Sequence, residues 1–278
     1  MHAFVIYCSP AGTTKHAAEI IGKTLADLGH APVMLNICDT KNAVAVKNQI
    51  KEIRQDSVLF IGSPVYAFHA VSPVMEFIEH LPGNGKGYSV PFVTWGAVTS
   101  GIALHEMGAL LNKKGFPVIG AAKIPAAHSL MWQFSHPLGE GRPDTADDQK
   151  IVDMVQKIAA KLQSQPVSTV PLAALNYQPE DVYNTMAGLS IKAARQMLPQ
   201  RQVLKDACTK CPVCSEICPV GAITLDPYPS FGETCILCYN CMRRCPKKAI
   251  AADFSPMENW LKEKAVELSE DTQVKTFI

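Results

Sequence analysis

The 278-residue sequence is short of charge imbalance, of aromatic side chains and of long apolar runs. Its 26 Lys and Arg face 25 Asp and Glu, a formal net charge of +1, so no electrostatic footprint for nucleic acid or an anionic membrane is present. Aromatic residues make up 7%, and no apolar run approaches the length that spans a bilayer, so no membrane span is expected. The opening segment, residues 1–7, is apolar but carries no basic stretch and breaks at Cys8, Ser9 and Pro10. It reads as a strand and not as a secretion signal, which points to a cytoplasmic protein that keeps its thiols for metal. Two phosphate-binding patterns are also missing. Neither Gly-x4-Gly-Lys-Ser/Thr nor Gly-x-Gly-x-x-Gly follows the first strand, which excludes a P-loop and a dinucleotide fingerprint. The glycine-rich run 82–87 follows a helix and precedes a strand, so it is expected as a turn on the face opposite a cofactor.

Cysteine is plentiful and patterned. Eight of the 10 cysteines form two runs, Cys208-x2-Cys211-x2-Cys214-x3-Cys218-Pro219 and Cys235-x2-Cys238-x2-Cys241-x3-Cys245-Pro246, offset by 27 residues throughout. Three cysteines on one tight turn can hold three corners of a 4Fe–4S cube, and the fourth corner needs a remote ligand. Exchanging the last cysteine of each run assigns one cluster to Cys208, Cys211, Cys214 and Cys245, and a second to Cys235, Cys238, Cys241 and Cys218. Structural zinc pairs two cysteines with two distant ligands, and a disulfide framework suits a small secreted domain; the spacing favours neither. The repeat continues through Ala222-Ile223 and Ala249-Ile250, so each half is one unit that cannot bury a cluster alone. From about Val203 to Asp253 the chain resembles the bacterial two-cluster ferredoxins, with every ligand of that pattern present. Arg243, Arg244, Lys247 and Lys248 read either as a solvated charge run or as an attraction for an acidic electron donor. Cys8 and Cys38 have no metal-ligand company and are expected as small buried apolar side chains.

Residues 1–165 alternate short apolar runs with amphipathic stretches, the pattern of a parallel sheet covered by helices on both faces. Strands are expected at Ala3–Cys8, Pro32–Ile37, Ser57–Gly62, Pro91–Trp95 and Pro117–Lys123. Helices are expected near Thr13–Leu28, Asn42–Arg54, Ser72–His80, Gly101–Lys114 and Asp144–Leu162, the last capped by Asp144 or Thr145.

The first strand-to-helix turn gathers phosphate donors. Ser9, Ala11, Gly12, Thr13 and Thr14 combine hydroxyls, bare amides and a helix N-terminus. Val5, Ile6, Tyr7, Ser9, Gly12, Thr14, Ala18 and Ile21 resemble the flavodoxin signature. That resemblance implies an α/β, flavodoxin-like, doubly wound parallel five-stranded sheet holding FMN outside the carboxyl ends of its strands. Two further loops are then expected at the flavin. One holds Pro64, Val65, Tyr66 and Ala67, with Tyr66 the candidate to stack on the ring. The other holds Thr94, Trp95, Gly96, Ala97 and Gly101, where the glycines allow close approach. Trp95 reads equally as core or as a stacking side chain.

Between the fifth strand and its helix lies a long connection, Ile124 to Pro143, with His128, Ser129, Trp132, His136 and Arg142. Loops of this length usually carry function, so a lid or substrate wall is expected. Tyr66, His69 and His128 are the candidate catalytic groups, as proton donors above a flavin. Each histidine alone reads more simply as a satisfied side chain.

Residues 166–200 are expected as an extended linker, Ser164–Pro179, then an inter-domain helix, Asn184–Leu198. Residues 201–255 form an α+β two-cluster ferredoxin domain, and 256–278 a terminal helix and tail. The whole chain resembles the ferredoxin–flavodoxin fusions, a group found mainly in anaerobes, with FMN and two 4Fe–4S clusters implied. The implied function is an FMN-dependent reductase fed by an external low-potential donor such as a ferredoxin and acting on a small-molecule acceptor. The alternative is a non-enzymatic carrier between larger redox proteins. The linker also admits a homodimer, in which a cluster serves the neighbour's flavin.

Overall fold

The computed structural model describes residues 2–39, 43–54, 57–83 and 87–278. The first unit runs β1 (Ala3–Tyr7), α1 (Thr13–Asp27), β2 (Val33–Asn36), α2 (Ala43–Ile50), β3 (Val58–Tyr66), β4 (His69–Ala70), α3 (Ser72–Glu79), β5 (Tyr88–Trp95), α4 (Ala103–Lys113), β6 (Ala121–Pro125) and α5 (Thr145–Lys161). Three short helices follow, α6 (Leu172–Leu175), α7 (Glu180–Gly188) and α8 (Ile191–Met197). The cysteine-rich unit comprises β7 (Gln202–Val203), α9 (Val213–Glu216), β8 (Ile223–Leu225), β9 (Pro229–Phe231), α10 (Asn240–Arg243) and β10 (Ile250–Ala251). The chain ends in α11 (Ser255–Leu268) and β11 (Lys275–Phe277).

The main sheet has the order β11-β6-β5-β3-β1-β2. Its five strands from β2 to β6 are parallel, in the doubly wound order with the switch point between β1 and β3. Central strands of such sheets are covered on both faces, which is why Ala3–Ile6 is a continuous apolar run with every residue fully buried. Ala17, Ile21 and Leu25 of α1 and Ile151, Val155 and Ile158 of α5 cover one face. Val74 and Ile78 of α3 and Leu104, Met107 and Leu111 of α4 cover the other. Asp144 caps α5 in a capping box with Asp147.

Three expectations change. The sheet gains a sixth, antiparallel strand, because Lys275–Phe277 pairs with Ala121–Lys123 along the open edge of β6. The terminal segment is therefore part of the first unit. The linker is not free: Val170 donates its amide to the Val118 carbonyl at 2.7 Å, and Val170 and Leu175 are buried against the α4 side of the sheet. The single inter-domain helix is two. Ser190 starts α8 by accepting from the Ala193 amide at 3.1 Å, and the chain is extended at Leu189. Of the expected turn at 82–87, residues 84–86 lie outside the described residues.

Within the cysteine-rich unit the 27-residue repeat governs the backbone. The one-turn helices α9 and α10 are related by that offset, and so are the left-handed pairs Lys210 with Leu237 and Gly221 with Lys248. The two halves interlock through β7 with β10 and the hairpin β8–β9.

Candidate functional site

The left-handed residue after each first cysteine turns the chain back, so that the cysteines of one run face a common space. Cys208, Cys211, Cys214 and Cys245 line one small cavity. Cys218, Cys235, Cys238 and Cys241 line another. Matching amides point at the remote cysteines, Ala222 N to Cys218 Sγ and Ala249 N to Cys245 Sγ, both at 3.2 Å. Among the described residues no three His, Cys, Asp or Glu side chains converge on one metal ion. Four cysteines around each cavity are a donor set that fits a cubane, which takes one cysteine at each of four irons. Cys8 and Cys38, expected as lone thiols, form a disulfide instead, because parallel β1 and β2 bring their ends within a Cα separation of 5.0 Å.

The phosphate-type loop lies between β1 and α1. Gly12 caps the helix at φ 103 with open space where a Cβ would stand. Ser9 takes the Lys15 amide of the first turn, and the amides of Thr13 and Thr14 are left to meet an anion. Several expected hydroxyls are already engaged. Ser9 Oγ accepts from the Lys15 amide at 2.9 Å, and Thr14 Oγ1 is buried against Thr94 Oγ1 at 2.7 Å. Ser9 Oγ, which only accepts there, keeps its own O–H, so Ser9, Thr13 and the backbone remain as donors.

A cavity of about 320 Å³ separates the loops after β3 and β5. Val65, Tyr66, Ala67 and Gly96 line it as expected, joined by Phe68, Val98 and Thr99. Ala67 and Phe68, at φ 47 and 75, make the two-residue turn of the β3–β4 hairpin without a glycine. The turn is held from outside: Ile102 N donates to Phe68 O at 2.9 Å, and a Cβ on Gly101 would lie 2.0 Å from that oxygen. Pro64, Thr94 and Trp95 are buried in the body of the sheet, and with Ala97 and Gly101 they do not line the cavity. Trp95, at 2% exposure, is core. Its Nε1 is buried without a hydrogen-bond partner.

The roof of this cavity was not legible in the sequence. It comes from Leu189, Ile191, Met197 and Leu198 around α8, from Leu237 between two cysteines, and from Met257, Trp260 and Leu261 of α11. Their only signal is amphipathic spacing, which does not say what they face.

The three candidate proton donors separate. His128 lines the cavity and packs over Gly96; its Nδ1 accepts from the Leu130 amide at 3.3 Å, which leaves the proton on Nε2. Burial pushes its pKa down to about 4, so it is neutral at neutral pH. His69 faces away. Its two ring nitrogens donate to Glu106 Oε1 and Leu189 O, both at 2.8 Å, and the Glu106 hydrogen bond raises its pKa. It fastens the α7–α8 junction to α4 and does not line the cavity. The Tyr66 hydroxyl is buried without a well-formed hydrogen bond; burial, reinforced by Cys238, holds its pKa well above 10.0 despite the nearby Ser129 and Arg243.

The Ile124–Pro143 loop serves both sides: His128, Ser129 and Leu130 line the cavity, and the residues after them seat the cysteine-rich unit. Met131 is fully buried in the core of the cysteine-rich unit, Trp132 meets Phe254 edge-on at 5.2 Å, and Arg243 lies 5.3 Å over the Trp132 ring. Arg243 also donates to the carbonyls of Cys238 at 2.9 Å and Ser129 at 3.5 Å, so it is an interface residue and not a solvated charge. His136 is exposed beside Glu140, and Arg142 grips Asp147 at the start of α5.

Strand order and ligand-face loops place the first unit in the flavodoxin-like class of α/β folds. No family model and no curated protein matches the chain. Among solved structures, a flavodoxin from the domain Archaea is 21% identical at a TM-score of 0.43, covering 59% of this chain and 100% of that one. An apo NADH:FMN oxidoreductase is 16% identical at 0.44, covering 60% of this chain and 92% of that one. Rubredoxin oxygen:oxidoreductase from the anaerobe Desulfovibrio gigas is 18% identical at 0.45, covering 58% of this chain and 36% of that one. Among the described residues no helix is long and apolar enough to cross a membrane.

Proposed function

We propose that the chain is an iron–sulfur flavoprotein oxidoreductase that carries electrons from a low-potential donor through two 4Fe–4S clusters to FMN and reduces a small-molecule acceptor. The observation that supports it most is the pair of small cavities, each walled by three cysteines of one run and the last cysteine of the other. The second set adjoins the first unit, since Ile236 and Cys238 pack in one apolar cluster with Val65 and Tyr66.

When bound, clusters supply single-electron steps and FMN couples them to two-electron chemistry. The first-turn amides of α1, with Gly12 and Thr13, would hold the phosphate, and the loops after β3 and β5 would hold the ring. Around them the chain's own side chains have separate tasks. Residues of α8 and α11 line the cavity with apolar side chains, and His128, neutral with its proton on Nε2, lines it as well. Tyr66 stays protonated beside Cys238, and Arg243 ties the Ser129 backbone to the Cys238 backbone. A donor would meet the first cysteine set, where Cys208, Cys211 and Cys245 are partly exposed.

One observation favours the carrier reading: much of the long loop seats the cysteine-rich unit, with Met131 fully buried there. Anaerobically reconstituted protein is expected to carry iron for two cubanes and one FMN per chain, and zinc in their place overturns the reading. Stopped-flow oxidation by quinones, nitro compounds and enones separates the rest. Saturable turnover supports the reductase, and its absence across the panel supports the carrier.

A further inference from the structure

The two cysteine cavities are near copies in backbone and differ in the charged side chains beside them. Arg201 lines the cavity of Cys218, Cys235, Cys238 and Cys241. Its guanidinium donates to Cys235 Sγ at 3.3 Å and approaches Cys241 Sγ at 3.6 Å, while its plane lies 4.0 Å from the Phe231 ring centroid. Subtracting the 27-residue repeat shows what the other cavity receives: residue 201 precedes Cys208 by seven, and residue 228 precedes Cys235 by seven. The position equivalent to Arg201 is Tyr228, which carries no charge. Lys247 does line the first cavity, but it is exposed, where solvent and salt screen its charge.

We propose that Arg201 sets the two clusters at different reduction potentials and so gives the wire a direction; this rests on the reading that both cavities hold 4Fe–4S clusters. A cluster gains a negative charge on reduction. Hydrogen bonds and positive charge at its cysteine sulfurs stabilise that state and raise its potential. The guanidinium is always protonated, is held flat by Phe231, and acts in a largely buried place where its field is little screened. The matching amide bonds from Ala222 and Ala249 act equally on both cavities and cancel in the comparison. The cysteines of the Arg201 cavity are all buried, and this is the cavity beside the first unit. Electrons entering at the partly exposed set therefore run downhill to the inner one. Arg201 is a tuning residue, acting through the ligands and not on a substrate.

The test is a potentiometric titration of the reconstituted full chain, followed by electron paramagnetic resonance. Two separate waves are expected in the parent protein. Arg201→Met should move the upper wave to lower potential and leave the lower wave in place, with Arg201→Lys giving a smaller shift in the same direction. Tyr228→Arg, which adds a guanidinium and removes none, should raise the lower wave and narrow the gap. Unchanged waves in Arg201→Lys and Tyr228→Arg, or equal movement of both waves, overturn the proposal. A parent protein without cubane signals overturns the cluster reading itself, a failure seen before any variant is compared.

Discussion

Replacing Glu270 by Gln should unlock the loop that borders the cavity from the terminal segment. Glu270 stands between α11 and β11, and its carboxylate accepts from Thr99 Oγ1 at 2.7 Å, Ser100 N at 2.9 Å, Gln178 Nε2 at 3.2 Å, and also from Ser100 Oγ and Lys123 Nζ. The Lys123 and Glu270 side chains are only 6% and 10% exposed. At an effective dielectric of about 20, two unit charges at contact distance attract by about 4 kcal/mol, and breaking such a buried pair costs about 3–5 kcal/mol because one charge is left alone. Glu270→Gln keeps the shape and loses the charge, so about 3 kcal/mol of stability should go. In urea unfolding read by tryptophan fluorescence, the Lys123→Met/Glu270→Gln double variant should lose far less than the sum of its singles. A coupling of about 2 kcal/mol or more is expected. A loss below about 1 kcal/mol with no coupling would put the pair in the class of exposed ion pairs and refute the argument. Acid should act the same way. Burial alone would raise the Glu270 pKa, but Lys123 and the hydroxyl hydrogen bonds hold it below its ordinary 4.5. The contribution is complete above that value and fades as pH falls through the lowered one.

Gly101→Ala combines a left-handed backbone with a Cβ 2.0 Å from the Phe68 carbonyl, so a loss on the order of 2–4 kcal/mol and weaker FMN binding are expected from thermal melts and flavin fluorescence titration. His69 titrates above its ordinary 6.5 because Glu106 holds its proton. Its contribution is present below that value and lost as pH rises through the raised one, a loss that should vanish from the pH–stability curve of Glu106→Gln. Cys8→Ala should cost about 3 kcal/mol under oxidising conditions, by freeing a loop of sequence separation 30, and nothing further once the parent is reduced.

Local rules made much of the first unit readable. Strand β1 is uniformly apolar because both faces of a central parallel strand are covered, and Asp144 announces α5 three residues ahead of Asp147. The grouping of eight cysteines around two cavities was legible for the same reason, since short repeated spacings bring the residues of one turn together. The partners of His69 were not legible, because a histidine near a cofactor loop looks alike whether its ring is free or held at both nitrogens, and its holders, Glu106 and Leu189, are far away in sequence. Cys8 and Cys38 were misread because only the pairing of β1 with β2 brings them together.

The alternation of strands and helices, the repeated cysteine spacing and the glycine turn at Gly12 follow from periodicity and spacing, which act over a few residues. Tertiary structure alone decided what the long loop serves, what roofs the cavity, that Lys275–Phe277 closes the sheet edge, and that Arg201 belongs to the cysteines of the other repeat. Those facts rest on contacts between segments dozens of residues or more apart. Their partners are chosen by packing and by the need to pair buried charge, and neither leaves a local pattern in the chain.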